Sequence, residues 1–173
     1  MSRVVETEQL FLRKLTIDDL QVLHSILSDE EVMEYYPKAF DMNKTKSWIE
    51  WNIDNYRKYG FGLWAVILKE NDHFIGDCGI TMQNIHNNLV PEIGYHIDKR
   101  FWNKGYATQA AKACLQYAFD VLQLDEVYCY QKYTNLPSRR VAEKMGMKLQ
   151  EEYADEINIK TSVYSITRTE FYL

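Results

Sequence analysis

The stretch from Glu92 to Thr108 constrains this chain more than any other part of it. Glu92-Ile93-Gly94-Tyr95-His96-Ile97 reads as a strand, Asp98 to Lys104 as a short basic turn, and Gly105-Tyr106-Ala107-Thr108 as the opening of an alanine-rich helix. Small residues at the start of a helix let a ligand approach the backbone. The free N–H groups of the first turn and the positive end of the helix dipole then favour an anion, the geometry that binds pyrophosphate. Lys99, Arg100 and Lys104 add positive charge there, in a chain of formal net charge −5. The same residues would also make an ordinary helix start behind a solvated basic turn. By themselves they leave both readings open.

The remaining periodicities place that stretch in a mixed fold. Leu10 and Leu12 alternate in a first strand, and Thr16-Ile17-Asp18-Asp19 opens a helix carrying Leu20, Leu23, Ile26 and Leu27. A second amphipathic helix spans about 43–59 and ends before Gly60. Strands are expected at about 62–68, 74–82 and 92–97, with turns at Asn71-Asp72 and Asn87-Asn88. The alanine-rich helix covers about 105–122, and a strand at 126–130 follows. A short helix at 136–145 then has Asn135 as N-cap, Pro137 in its first turn and Gly146 at its C-terminal cap. Strands at about 147–153 and 163–171 close the chain. No linker or repeat divides it, so residues 1–173 form one α/β (α+β) domain, a mixed sheet with helices on its faces.

Composition and missing motifs remove whole classes. With 173 residues and 46% hydrophobic residues, the chain can bury a core without disulfide or metal. Its acidic balance argues against a nucleic-acid binder, which would show a broad basic field. Cys78, Cys114 and Cys129 are scattered, as reduced thiols of a cytoplasmic protein would be. No run approaches the roughly 20 apolar residues of a membrane span, and no signal peptide is visible. The four histidines lie singly, without metal-ligand spacing. Walker and nucleophile-elbow motifs are missing. Gly60 to Ala65 fits G-x-G-x-x-A, but a helix precedes it and a strand follows, the reverse of the dinucleotide order.

Trp102-Asn103-Lys104-Gly105-Tyr106-Ala107 resembles the [RQ]-x-x-G-x-[GA] acetyl-CoA loop of the GNAT family of N-acetyltransferases. Tryptophan at its first position is similar to the RimJ/RimL branch, which acetylates ribosomal-protein N-termini. Thr7-Glu8-Gln9-Leu10-Phe11-Leu12-Arg13, Ile75-Gly76-Asp77-Cys78-Gly79-Ile80 and Asn135-Leu136-Pro137-Ser138 through Glu143-Lys144-Met145-Gly146 agree with that branch, Met147 standing where phenylalanine is usual. The resemblance implies a largely antiparallel sheet of about seven strands, splayed near its centre between Ile93–Ile97 and Glu126–Tyr130, with helices on both faces. It implies that acetyl-CoA binds along Trp102-Asn103-Lys104-Gly105-Tyr106-Ala107-Thr108, that its pantetheine pairs with the strand as far as Ile97, and that Asn135 contacts the arm near the thioester. No metal is implied.

Acetyl transfer to an amine asks for a base that takes the amine proton and an acid for the departing thiolate. Glu92, alternating with Gly94 and His96 on one strand face, is the candidate base. Ser138, or a neighbouring tyrosine, is the candidate acid. The cysteines have no base beside them in the sequence, so direct attack without a covalent enzyme intermediate is expected. The acceptor wall is expected from the helices between Thr16 and Tyr59, with Tyr35, Tyr36, Trp48, Trp51 and Tyr56 as lining candidates, and from a loop at Gln83–Val90. The acceptor is expected to be a protein or peptide N-terminal amine. The alternatives are a polyamine, aminoglycoside or amino acid, or a non-catalytic acyl-CoA-binding module. The oligomeric state is open between monomer and homodimer.

Overall fold

A computed structural model describes residues 1–173. One sheet of eight strands organises it: β1 (Arg3–Glu6), β2 (Leu10–Lys14), β3 (Leu63–Leu68), β4 (Phe74–Ile85), β5 (Asn88–Ile97), β6 (Glu126–Lys132), β7 (Lys148–Asp155) and β8 (Ile159–Thr167). Their spatial order is β1-β2-β3-β4-β5-β6-β8-β7. Neighbours are antiparallel except β5 and β6, which run parallel and share a single ladder step, Glu92 opposite Tyr128. Beyond that step the two strands part, as the family resemblance implied.

The helices are α1 (Leu20–Leu27), α2 (Met42–Tyr59), α3 (Tyr106–Asp120), α4 (Leu136–Lys144) and α5 (Arg168–Tyr172). Alternation along the strands decides which face each helix covers. Phe11, Ala65 and Ile67 point to the side of α1 and α2, where they pack with Leu23, Ile26, Leu27 and Ile49. Leu10, Leu12, Trp64 and Val66 point the other way, against Ala110, Ala111, Cys114 and Ala118 of α3. Alanine on that face of α3 lets the helix lie close to the sheet, which fixes the position of its N-terminus.

Three expectations need correction. The sheet has eight strands rather than about seven, because the short edge strand β1 pairs with β2 ahead of the first strand read from the sequence. The expected loop at Gln83–Val90 is a tight hairpin. Both strands run on to Ile85 and Asn88, and the turn residues His86 and Asn87 take the left-handed φ of 50° and 62° that a two-residue hairpin of this hand needs. The last strand stops at Thr167, where Thr167 and Glu170 form a reciprocal capping box that starts α5. Gly60, with φ of 82°, caps the end of α2, so the G-x-G-x-x-A match is a helix stop before a strand.

Candidate functional site

The parting of β5 from β6 opens a cleft of about 390 Å³ beside the N-terminal end of α4. Past the end of β5, at the start of α3, the backbone is the dominant chemistry. Asn103 and Gly105 hold left-handed φ of 58° and 81°. None of the N–H groups of Asn103, Lys104, Gly105, Tyr106, Ala107 or Thr108 has a hydrogen-bond partner within the chain, and the ladder of α3 begins at Gln109 N, which donates to Gly105 O. Six consecutive bare amides at the start of a 15-residue helix make a cradle for a polyanion.

The charge around this cradle differs from the sequence expectation. Lys99 pairs with Asp29 at 2.8 Å and Arg100 forks onto Asp98, so both are already balanced by carboxylates. Lys104 alone is without an ion pair, its Nζ 5.3 Å from the Phe101 ring. Trp102 also has a more structural place than expected. Its indole Nε1 donates to Ile97 O at 2.7 Å, pinning the turn against the end of β5. Ile97 O is thereby engaged, and Ile93 O accepts from the Cys129 thiol at 3.3 Å. Between them, Tyr95 presents its backbone to the gap.

Glu92 lies mid-strand rather than at a strand end. Gly94 has no side chain, and a Cβ there would come within 3.3 Å of a Glu92 carboxylate oxygen, so the glycine makes room for it. Enclosure by the cleft walls pushes the Glu92 carboxyl up to about 8, against a weaker opposing hydrogen bond from Thr81. That contact is long, at 3.4 Å; Thr81 in turn accepts from Gln83, which accepts from Tyr130. Across the gap, the Tyr95 hydroxyl donates to Ser138 Oγ at 3.1 Å, and burial raises the Tyr95 pKa. Asn135 Oδ1 caps α4 by accepting from Ser138 N at 3.2 Å, while its Nδ2 forms no bond within the chain. The two candidate proton-handling groups thus face one cleft from different strands and helices.

Of the expected acceptor-side residues, Tyr35, Tyr36 and Trp48 line the cleft. Tyr35 and Tyr36 come from the loop after α1 rather than from a helix. Trp51 packs at a tilt against Trp48, at 5.1 Å between centroids. Tyr56 is core: its hydroxyl accepts from Leu15 N and donates to Leu63 O. Sequence reasoning missed Asp77. This buried carboxylate accepts from Trp48 Nε1 at 3.0 Å and from His96 Nδ1 at 2.8 Å, while His96 Nε2 lies 2.8 Å from the Tyr36 hydroxyl. The signal available was the alternation that put Glu92 and His96 on one face. Cys78 and Cys114 are buried together, their sulfurs 3.7 Å apart in the core under α3.

A splayed β5/β6 pair, an anion cradle at the helix start beyond it and a proton-handling cleft define an acyl-CoA-dependent transferase. Residues 9–148 match the family model described as acetyltransferase (GNAT) domain. The chain is 40% identical over 142 residues to the uncharacterized protein YkkB of Bacillus subtilis, covering 82% of this chain and 83% of that one. It is 32% identical to the uncharacterized N-acetyltransferase YnaD of the same organism, over 83% and 82%. A crystal structure of a GNAT-family acetyltransferase from Bacillus anthracis superposes with a TM-score of 0.82 at 27% identity, over 95% of this chain and 98% of that one. The fold is shared, at 18% and 15% identity, with a Vibrio cholerae spermidine N-acetyltransferase in complex with CoA and spermine and with RimL, a ribosomal-protein alpha-N-acetyltransferase in complex with coenzyme A. Their TM-scores are 0.78 and 0.79, and this chain covers 100% and 98% of them, with 96% of its own length matched in each case. This chain belongs to the GNAT family and is an N-acetyltransferase. No helix is long and apolar enough to cross a membrane.

Proposed function

We propose that the enzyme acetylates the α-amino group of a peptide or protein, with Glu92 taking the amine proton and Ser138, backed by Tyr95, protonating the thiolate. Acetyl-CoA supplies the acetyl group and the thiolate leaving group. The amides of Asn103 to Thr108 would hold its pyrophosphate, Lys104 would add charge, and Asn135 Nδ2 and the Tyr95 backbone would meet the pantetheine arm.

The observation that carries the acceptor reading is the charge balance of the cleft. Among its lining residues the acidic and basic side chains, histidine aside, are Glu92, Lys132 and Asp155. With its pKa pushed up to about 8, Glu92 is ionised in only about a tenth of the molecules at pH 7, the fraction that takes the amine proton, so near neutrality Lys132 and Asp155 cancel. A polyamine with several ammonium groups meets no compensating field there. A peptide, with one amine and a train of amides, meets Gln83, Asn84, Gln131 and Asn158. Gln131 Nε2 is buried without a partner and suits a backbone carbonyl. The base is also matched to an α-amine. Transfer from an α-ammonium of pKa near 8 to Glu92 is close to balanced, whereas from a lysine-like ammonium it is uphill by about 3 kcal/mol. Fold neighbours exist on both sides of this choice, so they do not carry it.

The test is CoA release with peptides bearing free N-termini, N-blocked peptides bearing lysine, and spermidine. Free N-termini are expected to give the highest kcat/KM. Spermidine turning over tenfold faster than every peptide would overturn the reading.

A further inference from the structure

We propose that Tyr36, His96 and Asp77 form a second proton route from the acceptor nitrogen, separate from Glu92. Asp77 in β4 is completely buried, and its oxygens accept from Trp48 Nε1, His96 N and His96 Nδ1 at 3.0, 3.1 and 2.8 Å. Burying a carboxylate is costly even with partners, and a well-packed apolar group is often as stable in such a place. The cluster is therefore poorly explained by stability alone.

Its polarity is fixed by elementary hydrogen-bond rules. A carboxylate only accepts, so His96 Nδ1 carries the hydrogen, and in the neutral ring Nε2 is an acceptor. The Tyr36 hydroxyl, 2.8 Å away, must then donate to Nε2, which leaves the Tyr36 oxygen as a hydrogen-bond acceptor. Tyr36, His96 and Glu92 line the same cleft, and Gly94 puts no side chain between the two on β5. Asp77 from β4, Tyr36 from the loop after α1 and the edge of Trp48 from α2, at 5.9 Å between ring centroids, are the polar and aromatic groups around the His96 ring.

The chemistry has a use for it. An ammonium that becomes an amide loses two protons, one to become nucleophilic and one as the new N–C bond forms. Glu92 takes the first. In the second step the amine N–H breaks toward the Tyr36 oxygen, while the Tyr36 proton passes to His96 Nε2. The imidazolium so formed is balanced by Asp77. The N–C bond forms, the C–S bond breaks with its electron pair to sulfur, and the sulfur takes a proton from the Tyr95–Ser138 side. Of the two protons lost by nitrogen, one replaces that given to sulfur and the other goes to solvent, with no redox change. Tyr36 is the group that touches the amine; His96 and Asp77 are positioning residues. The inference rests on the cleft being the acceptor site, not on which amine enters it.

Tyr36→Phe deletes only the hydroxyl and keeps the ring 5.2 Å from that of His96. With whichever amine the wild type acetylates, it should lower kcat by about 10–100-fold, with KM within about threefold, the lower range for loss of one proton-transfer group. His96→Gln should lower kcat similarly, again with KM within about threefold. Nitrogen NMR of the unmodified protein should find the His96 hydrogen on Nδ1. A Tyr36→Phe kcat within twofold of wild type, a change in KM alone, or a hydrogen on Nε2 of the neutral ring would each overturn the route. A wild-type preference for spermidine would overturn the acceptor proposal and leave these ratios intact, so the two fail separately. If His96→Gln does not fold, Tyr36→Phe and the NMR measurement still decide.

Discussion

The cradle at Asn103–Thr108 and the cleft around Glu92 both depend on β5 but are built on different plans. The cradle is backbone, made of consecutive amides that need only two left-handed residues and a helix start. The cleft is side chain, made of groups from β4, β5, α4 and the loop after α1. A backbone site survives most changes of side chain but fails when its φ angles change. A side-chain site behaves in the opposite way, since one atom exchanged can remove its chemistry while the fold stays intact.

The sharpest test of that contrast is Glu92→Gln. Turnover at neutral pH should fall about 10²–10⁴-fold, the usual weight of a general base, while acetyl-CoA still raises the melting temperature as in wild type. The defect should shrink as the pH rises toward the acceptor's own pKa. Wild-type turnover in this variant would move the base elsewhere in the cleft.

Gly105→Glu should do the reverse. Residue 105 has φ of 81°, which strains any side chain, and a carboxylate there would meet the anion. Affinity for CoA should drop by about 10²–10³-fold, the sum of strain and like-charge repulsion, seen as lost thermal protection. Full protection would show that the cradle lies elsewhere.

A smaller effect concerns stability. The folded protein holds the Glu92 proton up to about pH 8, whereas an unfolded chain releases it near 4.3. Between those values the folded state binds more protons, so stability falls as pH rises. Glu92→Gln should therefore raise the melting temperature by about 10 °C or more at pH 8–9 and leave it unchanged at pH 4. Equal shifts at both pH values would argue against the raised carboxyl. The smallest effect is expected for Lys104→Ala. It should weaken CoA binding about 3–10-fold at low salt and less at high salt, because exposed charge is screened. A loss independent of salt would assign Lys104 to packing.

The same contrast explains what the sequence made legible. The cradle is contiguous, so Gly105, Ala107 and the basic turn announced it within a few residues, and Asn135, Pro137 and Gly146 set the limits of α4. The charge around it was less legible. Lys99 finds Asp29 only after the loop following α1 folds over it. In the cleft, Glu92 and His96 were visible as a period-two pair, but Asp77 is 19 residues from His96 and Tyr36 is 60 away. No local period reports such a meeting. The missed elements were short or polar: β1 has four residues, and the asparagines near His86 resembled a loop although Ile85 and Val90 continue the strands. The helix after Thr167 did have a local signal, Thr167-Arg168-Thr169-Glu170, a capping box that the apolar strand reading overrode.

The single ladder step between β5 and β6 also bears on how the chain reaches this shape. From β1 to β5 every strand pairs with its neighbour in sequence. The apolar cluster under α1 and α2 draws all its buried members from Phe11 to Phe74. That half can assemble while the rest is still being synthesised, because all the buried members of its cluster lie within the first 74 residues. The cluster under α3 runs from Val5 to Ile166 and must wait for the last strand. The cleft therefore falls along the boundary between an early and a late portion of folding, and acetyl-CoA should protect amides on the late side more than on the early one in hydrogen exchange.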